Sequence, residues 1–262
     1  MKVTRQEDIP QQENKAFDML PTIEVTQLPS NFIAYPKGVK IHYKPYVFGE
    51  VKKFNQSNLS KLDTYQMAMS GVEVTGMPLD ALTFPDVIYI ALLRKISSLG
   101  DTSFSLSYHC SSCHKLNTVN IDHKNVGFTD MEVKELPIVA TLENGTELEF
   151  GLFTYGNYKT LTNLNKIDDD MYAMALTVKN MSTEEAYKTI YNASLKDGAI
   201  LDYVDRLQYH NIAPLDLKCK ECAHPNKVRL TGGDVLVGPF RESSGDVESR
   251  VRFGIQDASK RP

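Results

Sequence analysis

The sequence predicts an α+β fold in which two hairpins, each tipped by a Cys-x-x-Cys pair, brace a mixed body that carries an inserted β-hairpin and helical segment. Three observations predict it. Alternating strands flank both Cys110-Ser-Ser-Cys113 and Cys219-Lys-Glu-Cys222, segments of 3.6-residue apolar period are interspersed with segments of period two, and 105 residues separate Cys113 from Cys219. A compact four-cysteine site leaves only ~15–20 residues between its pairs, so a folded segment has to lie between these two. The expected division is an N-terminal arm over 1–27, an N-terminal α/β region over 28–100, two ribbon halves over 101–125 and 213–231, the inserted hairpin and helices over 126–212, and a C-terminal strand with a polar tail over 232–262.

The first 20 or so residues are polar and without period, and order is expected to begin near Leu28-Pro29-Ser30. Tyr35-Pro36-Lys37-Gly38 reads as a turn, and Val39 to Tyr43 alternates as a half-buried strand that Pro45 ends. From Ser57 to Ser70 the apolar residues Leu59, Leu62, Tyr65, Met67 and Met69 form an imperfect helical stripe, with methionine as core filler. Pro85 and Asp86 mark the start of a second helix; Val87 to Ile96 is almost wholly apolar, which makes this the most buried helix of the chain.

Phe104 to Tyr108 alternates into the first cysteine pair and Leu116 to Ile121 alternates out of it; Leu215 to Lys218 and Val228 to Leu230 repeat the design around the second. Between them, Ile138–Leu142 and Thr146–Phe150 read as strands joined by Asn144-Gly145 in a type I′ turn. Helices are expected over Tyr158–Leu164, over Met171–Val178, from a capping box at Ser182-x-x-Glu185 to Ser194, and over Ala199–Tyr209 before Pro214 stops the last. The acidic run Asp168-Asp169-Asp170 reads as a charged helix start, where the macrodipole favours anions, rather than a magnesium site. Val235 to Val237 reads as a final strand.

The chain has four cysteines, and the two pairs use them all. Zinc takes four tetrahedral ligands, and a two-residue spacer lets one tight turn aim both of its sulfurs at one point. Cys110, Cys113, Cys219 and Cys222 are therefore the candidate ligands of a structural Zn2+, which makes the two hairpins halves of a zinc ribbon. Four sulfurs leave no open position for water, so such an ion would brace the fold and would not catalyse. Disulfides and a redox-active pair are the alternatives for the same residues. His109, His114 and His224 flank the pairs and could each replace a sulfur.

Composition is that of a folded globular chain, with 42% apolar and 24% charged residues among 262. The beginning lacks an apolar leader, and no stretch approaches the ~18 apolar residues of a membrane-spanning helix, which predicts folding in a reducing cytoplasm where thiols favour metal over disulfides. A net charge of −4 and a pI near 5.9 argue against nucleic acid as the partner. The competing reading, a nucleic-acid-binding zinc ribbon, would rest on Lys115, Lys218, Lys220, Lys227 and Arg229 around the pairs. Phosphate-loop, dinucleotide, zinc-protease and serine-hydrolase motifs do not occur, so an enzyme is not expected, and no small-molecule substrate is implied.

Leu28-Pro29-Ser30, Tyr35-Pro36, Tyr43-x-Pro45, Gly49-Glu50, Met77-Pro78-Leu79, Leu82-Thr83-x-x-Asp86, Leu92-Leu93-Arg94, Gly100 and Cys110-x-x-Cys113 follow one another in an order that resembles the baseplate hub assembly or hub structural proteins of T-even-type contractile-tailed bacteriophages. The similarity runs from about 28 to 230 and takes in the Asn-Gly hairpin and the second cysteine pair. It implies a non-enzymatic virion component, a late protein assembled in the host cytoplasm into the tail baseplate beside other baseplate and hub proteins. It also implies metal ligation by the paired cysteines and carries over no catalytic residue. Residues 1–27 and 231–262 extend beyond the similarity and are where docking contacts are expected.

Overall fold

Hairpins and short helices, each too small to bury a core alone, pack here around two separate apolar centres. The computed structural model describes residues 20–54, 59–98, 103–129, 131–208 and 210–230. Four small antiparallel sheets result. Strands β1 (Ile23–Glu24), β2 (Lys40–Tyr43) and β3 (Val72–Thr75) form the first, in that order, with Ile23 opposite Tyr43 and Ile41 opposite Val74. The hairpins β4–β5 (Ser103–His109 and Leu116–Asp122), β6–β7 (Ile138–Thr141 and Glu147–Phe150) and β8–β9 (Leu215–Lys218 and Pro225–Val228) form the others.

Seven α-helices lie among the described residues: α1 (Phe48–Phe54), α2 (Lys61–Met69), α3 (Phe84–Ser98), α4 (Tyr155–Asn163), α5 (Asp170–Ala175), α6 (Thr183–Ala193) and α7 (Gly198–Gln208). Their starts follow from local chemistry. Ser60, Thr154 and Ser182 each accept the N3 backbone N–H while the N3 side chain accepts from the cap, closing three capping boxes. Asp169 caps α5 by accepting the Tyr172 N–H, which is the role expected of the acidic run.

The larger core is built on α3, where Val87, Ile90 and Ala91 are wholly buried, as its apolar run predicts. Around it gather Leu28, Ile41, Tyr65, Phe104, Ile121, Ile212 and Leu230, drawn from both ends of the described chain. Two buried charges pin this core. Asp86 accepts the Ser30 N–H at 2.9 Å, the Ser30 hydroxyl and the Tyr35 hydroxyl, tying the Leu28–Tyr35 loop to the first turn of α3. Arg94, with no exposed surface, donates to the carbonyls of Lys44 (2.7 Å), Ala68 (2.5 Å) and Met67 (3.3 Å), lies 4.1 Å over the Tyr46 ring and 3.4 Å from Glu50. It thereby supplies a donor to the Ala68 carbonyl at the end of α2 and a further one to Met67, which also accepts from Ser70.

The smaller core takes its buried residues, among them Ile138, Ala140, Leu148, Phe150, Ala186, Ile190 and Val204, from 138–204, with Val133, Leu136 and Leu207 packed against them. Tyr155 and Tyr158 of α4, within the same stretch of chain, turn instead to the larger core, where Tyr158 stacks on Phe84 at 4.4 Å.

Several local expectations change. Order starts before Leu28: β1 pairs with β2 and Val25 is buried. The β6–β7 turn is not type I′, because only Gly145, at φ +83°, is left-handed; Gly145 N–H donates to Leu142 and Leu142 N–H to Thr146, the pattern of a type I turn followed by a left-handed glycine. The strand leaving the second cysteine pair runs over Pro225–Val228, earlier than Val228–Leu230, since pairing resumes as soon as the turn closes. The expected strand Val235–Val237 lies outside the described residues. No helix among the described residues is long and apolar enough to cross a membrane.

Candidate metal centre

Each cysteine pair sits on the turn of its hairpin, β4–β5 or β8–β9, and the two turns are built alike. Cys110 N–H donates to Lys115 and His114 N–H back to Cys110; Cys219 N–H donates to His224 and Ala223 N–H back to Cys219. The residue just after each second cysteine is left-handed, His114 at φ +57° and Ala223 at φ +60°. Neither is glycine, so both turns hold a conformation that side chains ordinarily avoid.

The hairpins face each other, and the sulfurs of Cys110, Cys113, Cys219 and Cys222 all lie within 4.8 Å of one another. The sequence-predicted set is therefore brought together across more than 100 residues of chain. Two approaches cross between the pairs: Cys110 to Cys222 at 3.7 Å and Cys113 to Cys219 at 3.6 Å. Four sulfurs at ~2.3 Å from a central ion form a tetrahedron with edges of ~3.8 Å, so these separations suit one ion with zinc–thiolate bond lengths. They far exceed the ~2.05 Å of a disulfide, and all four cysteines are free. His109, His114 and His224 are not in the converging set; His109 Nδ1 is instead 3.2 Å from the His114 carbonyl.

Backbone geometry prepares the leading thiol of each pair for charge. The N–H groups of Cys113 and Ser112 pull the Cys110 thiol below its ordinary range, and those of Cys222 and Glu221 pull Cys219 down to about 6. Cys222 moves the other way, up to about 12: the His224 N–H favours its thiolate but is outweighed by the neighbouring Cys113, by burial, and by Cys110 and Cys219. Burial, and then Cys219, Cys110 and Cys222, push the Tyr108 phenol up as well. Four sulfurs this close cannot all carry charge by themselves, whereas a central dication would stabilise all four thiolates together.

Two residues of the site escaped sequence reasoning. Asn117 donates through Nδ2 to the Cys219 sulfur (3.4 Å) and accepts the Lys220 N–H (2.9 Å). Asn226 donates to the Cys110 sulfur (3.8 Å) and accepts the Ser111 N–H (2.9 Å). Both are buried. A signal existed: each asparagine stands seven residues after the leading cysteine of its own pair. Of the basic residues around the pairs, Lys115, Lys218, Lys220, Lys227 and Arg229 are all exposed, and the Lys220 ammonium donates to the Thr118 carbonyl at 2.6 Å.

A family model described as T4 bacteriophage base plate protein matches residues 20–236. No curated protein and no solved structure matches significantly.

Proposed function

The chain belongs to the family of T4 bacteriophage base plate proteins, and from that premise we propose that it is a non-enzymatic building component of the hub region of the tail baseplate, its fold braced by a closed zinc site of four cysteines. Family membership carries the baseplate location and the association with other tail proteins. The hub assignment rests on the order of motifs from Leu28 to Cys113 noted in the sequence. The observation that carries the zinc reading is the convergence of four free thiols within 4.8 Å, at edges that fit one tetrahedral ion. Cys110, Cys113, Cys219 and Cys222 would hold the ion as thiolates. A fully thiolate-ligated zinc supplies no activated water, so its contribution is to folding, as a link between the two ribbon halves at 101–125 and 213–231.

In this reading the larger core, the ribbon and the insert over 126–212 form a body that offers surfaces to neighbouring baseplate subunits, with the residues before β1 and the segment 232–262 as additional docking arms. Assembly takes place in the host cytoplasm. A quantitative mass-spectrometric inventory of purified particles and of isolated baseplates tests the proposal. The chain is expected at a fixed copy number per baseplate, and particles made without it are expected to lack a complete hub. Baseplates that assemble normally without the chain would sink the structural role. Elemental analysis of the purified protein is expected to give one zinc per chain; a substoichiometric value in protein purified without chelator would sink the metal reading independently.

A further inference from the structure

We propose that Asn117 and Asn226 are positioning residues of the metal centre, a crossed clasp in which the asparagine of each hairpin fixes the leading cysteine of the other. The inference rests on the four-thiolate metal reading and extends it from the four ligands to the groups that aim them.

The connections are reciprocal. Asn117, on β5, reaches Cys219 and the next backbone N–H, Lys220; Asn226, on β9, reaches Cys110 and the next backbone N–H, Ser111. The Ser111 hydroxyl also donates to Asn226 Oδ1 at 3.1 Å. Each amide is anchored to its own hairpin as well, donating to the carbonyl two residues before it: Asn117 to Lys115 at 2.9 Å, Asn226 to His224 at 2.8 Å. These partners fix which end of the amide faces the metal centre. A backbone N–H can only donate and a carbonyl only accept, so Oδ1 is turned to the opposite backbone and Nδ2 to the sulfur. The result is a repeated unit, Cys-x-x-Cys-x-x-x-Asn, that fits a second copy of itself and joins the hairpins by direct bonds beside the ion.

Such a clasp does two things for metal binding. It orients two of the four ligands before the ion arrives, and its N–H···S bonds spread the charge of the leading thiolates. Groups that orient ligands in this way change metal affinity by ~10–100-fold when removed. Aspartate separates the two parts: in N117D the oxygen that accepts the Lys220 N–H is kept, but an anionic oxygen replaces the donor to Cys219.

The test uses the full chain, with zinc affinity measured by competition against a chromophoric chelator and cobalt(II) as a spectroscopic substitute. N117A and N226A are expected to bind zinc ~10-fold more weakly, and N117D more weakly than N117A despite its retained backbone contact. In the cobalt form the thiolate-to-metal charge-transfer band is expected to move to lower energy, because a sulfur without its N–H donor holds its electrons less tightly, while the tetrahedral d–d bands persist. If N117A does not fold, N117S, which keeps a polar group near the Lys220 N–H, carries the same comparison. Variants that lose thermal stability but keep zinc affinity within twofold and leave the band unmoved would make the asparagines merely structural and overturn the inference. A parent chain that takes up neither zinc nor cobalt would overturn the metal reading together with it.

Discussion

The two cores of this protein are held shut by different means. The larger is assembled from segments far apart in the chain, from Val25 to Leu230, and buries Asp86, Arg94 and Lys95 along one helix. The smaller is drawn from residues 138–204, and Asp197 is its buried charge among the described residues, accepting the Glu143 N–H at 3.0 Å. Closing long loops costs chain entropy before any contact repays it. The larger core offsets that cost with point-to-point ties: carboxylate to loop, guanidinium to helix end, and the two cysteine turns facing each other. The smaller core has side-chain ties of its own, Asp197 to the Glu143 N–H and Asn180 to Glu147 and Glu149, but it has nothing like the cysteine turns to close, and its elements are sequence neighbours with strong local start signals.

The largest expected effect follows from cutting the most distant tie. Stripping the proposed zinc with a strong chelator, or replacing Cys110 or Cys219 by serine, is expected to lower the melting temperature by ~10 °C or more. Hydrogen exchange should show β4, β5, β8 and β9 losing protection first, while amides of β6, β7, α6 and α7 keep theirs. Equal loss in both sets would erase the distinction between the cores.

Arg94 tests the same distinction without touching the metal. In Arg94→Met the carbonyls of Lys44, Met67 and Ala68 lose the guanidinium donor and Glu50 its counter-charge. Breaking a buried charge pair by removing one member costs ~3–5 kcal/mol, read as a lower urea midpoint for the larger core. Adding Glu50→Gln should recover part of the loss by removing the stranded charge. No recovery would mean that the carbonyls, and not Glu50, are what Arg94 serves.

What the sequence revealed follows the same divide. The insert was legible element by element, since Ser182-x-x-Glu185, the Asn-Gly turn and the amphipathic runs of α6 and α7 are local signals, and each element stands within a few residues of its expected place. The cysteine hairpins were legible because metal-ligand spacing is a chemical pattern. Much of the larger core was not. Helix α1 carries only a short local signal, Val47, Val51 and Phe54 at helical spacing with Glu50 in its first turn and Lys52 and Lys53 in its last; seven residues rarely hold a helix alone, and its distant partner is Arg94, beside Glu50. Strand β3 is four residues long and is defined by pairing with β2. Asp86 could be read as a helix-start residue, but nothing nearby in sequence announces that its partners are Ser30 and Tyr35. The asparagines beside the four cysteines could have been found by laying one cysteine pair over the other, yet their crossing is a fact of three dimensions.

The smallest effect tests whether the insert depends on its own local signals. Ser182 accepts the Glu185 N–H, and Glu185 accepts from the Ser182 hydroxyl and backbone N–H. The Ser182 hydroxyl, then its N–H, holds the Glu185 carboxyl below the ordinary carboxylate range. Because the folded value is depressed, the box contributes fully above the unfolded pKa and its contribution is lost as pH falls through the folded one. Ser182→Ala is expected to destabilise α6 by ~1 kcal/mol at neutral pH. The gap between variant and parent should narrow toward pH 3, each pair being compared at the same pH so that acid release of metal cancels. A gap independent of pH would remove the carboxylate from the account. A variant that also destabilised the cysteine hairpins at neutral pH would show that the inserted core supports them after all, and that the two cores unfold as one.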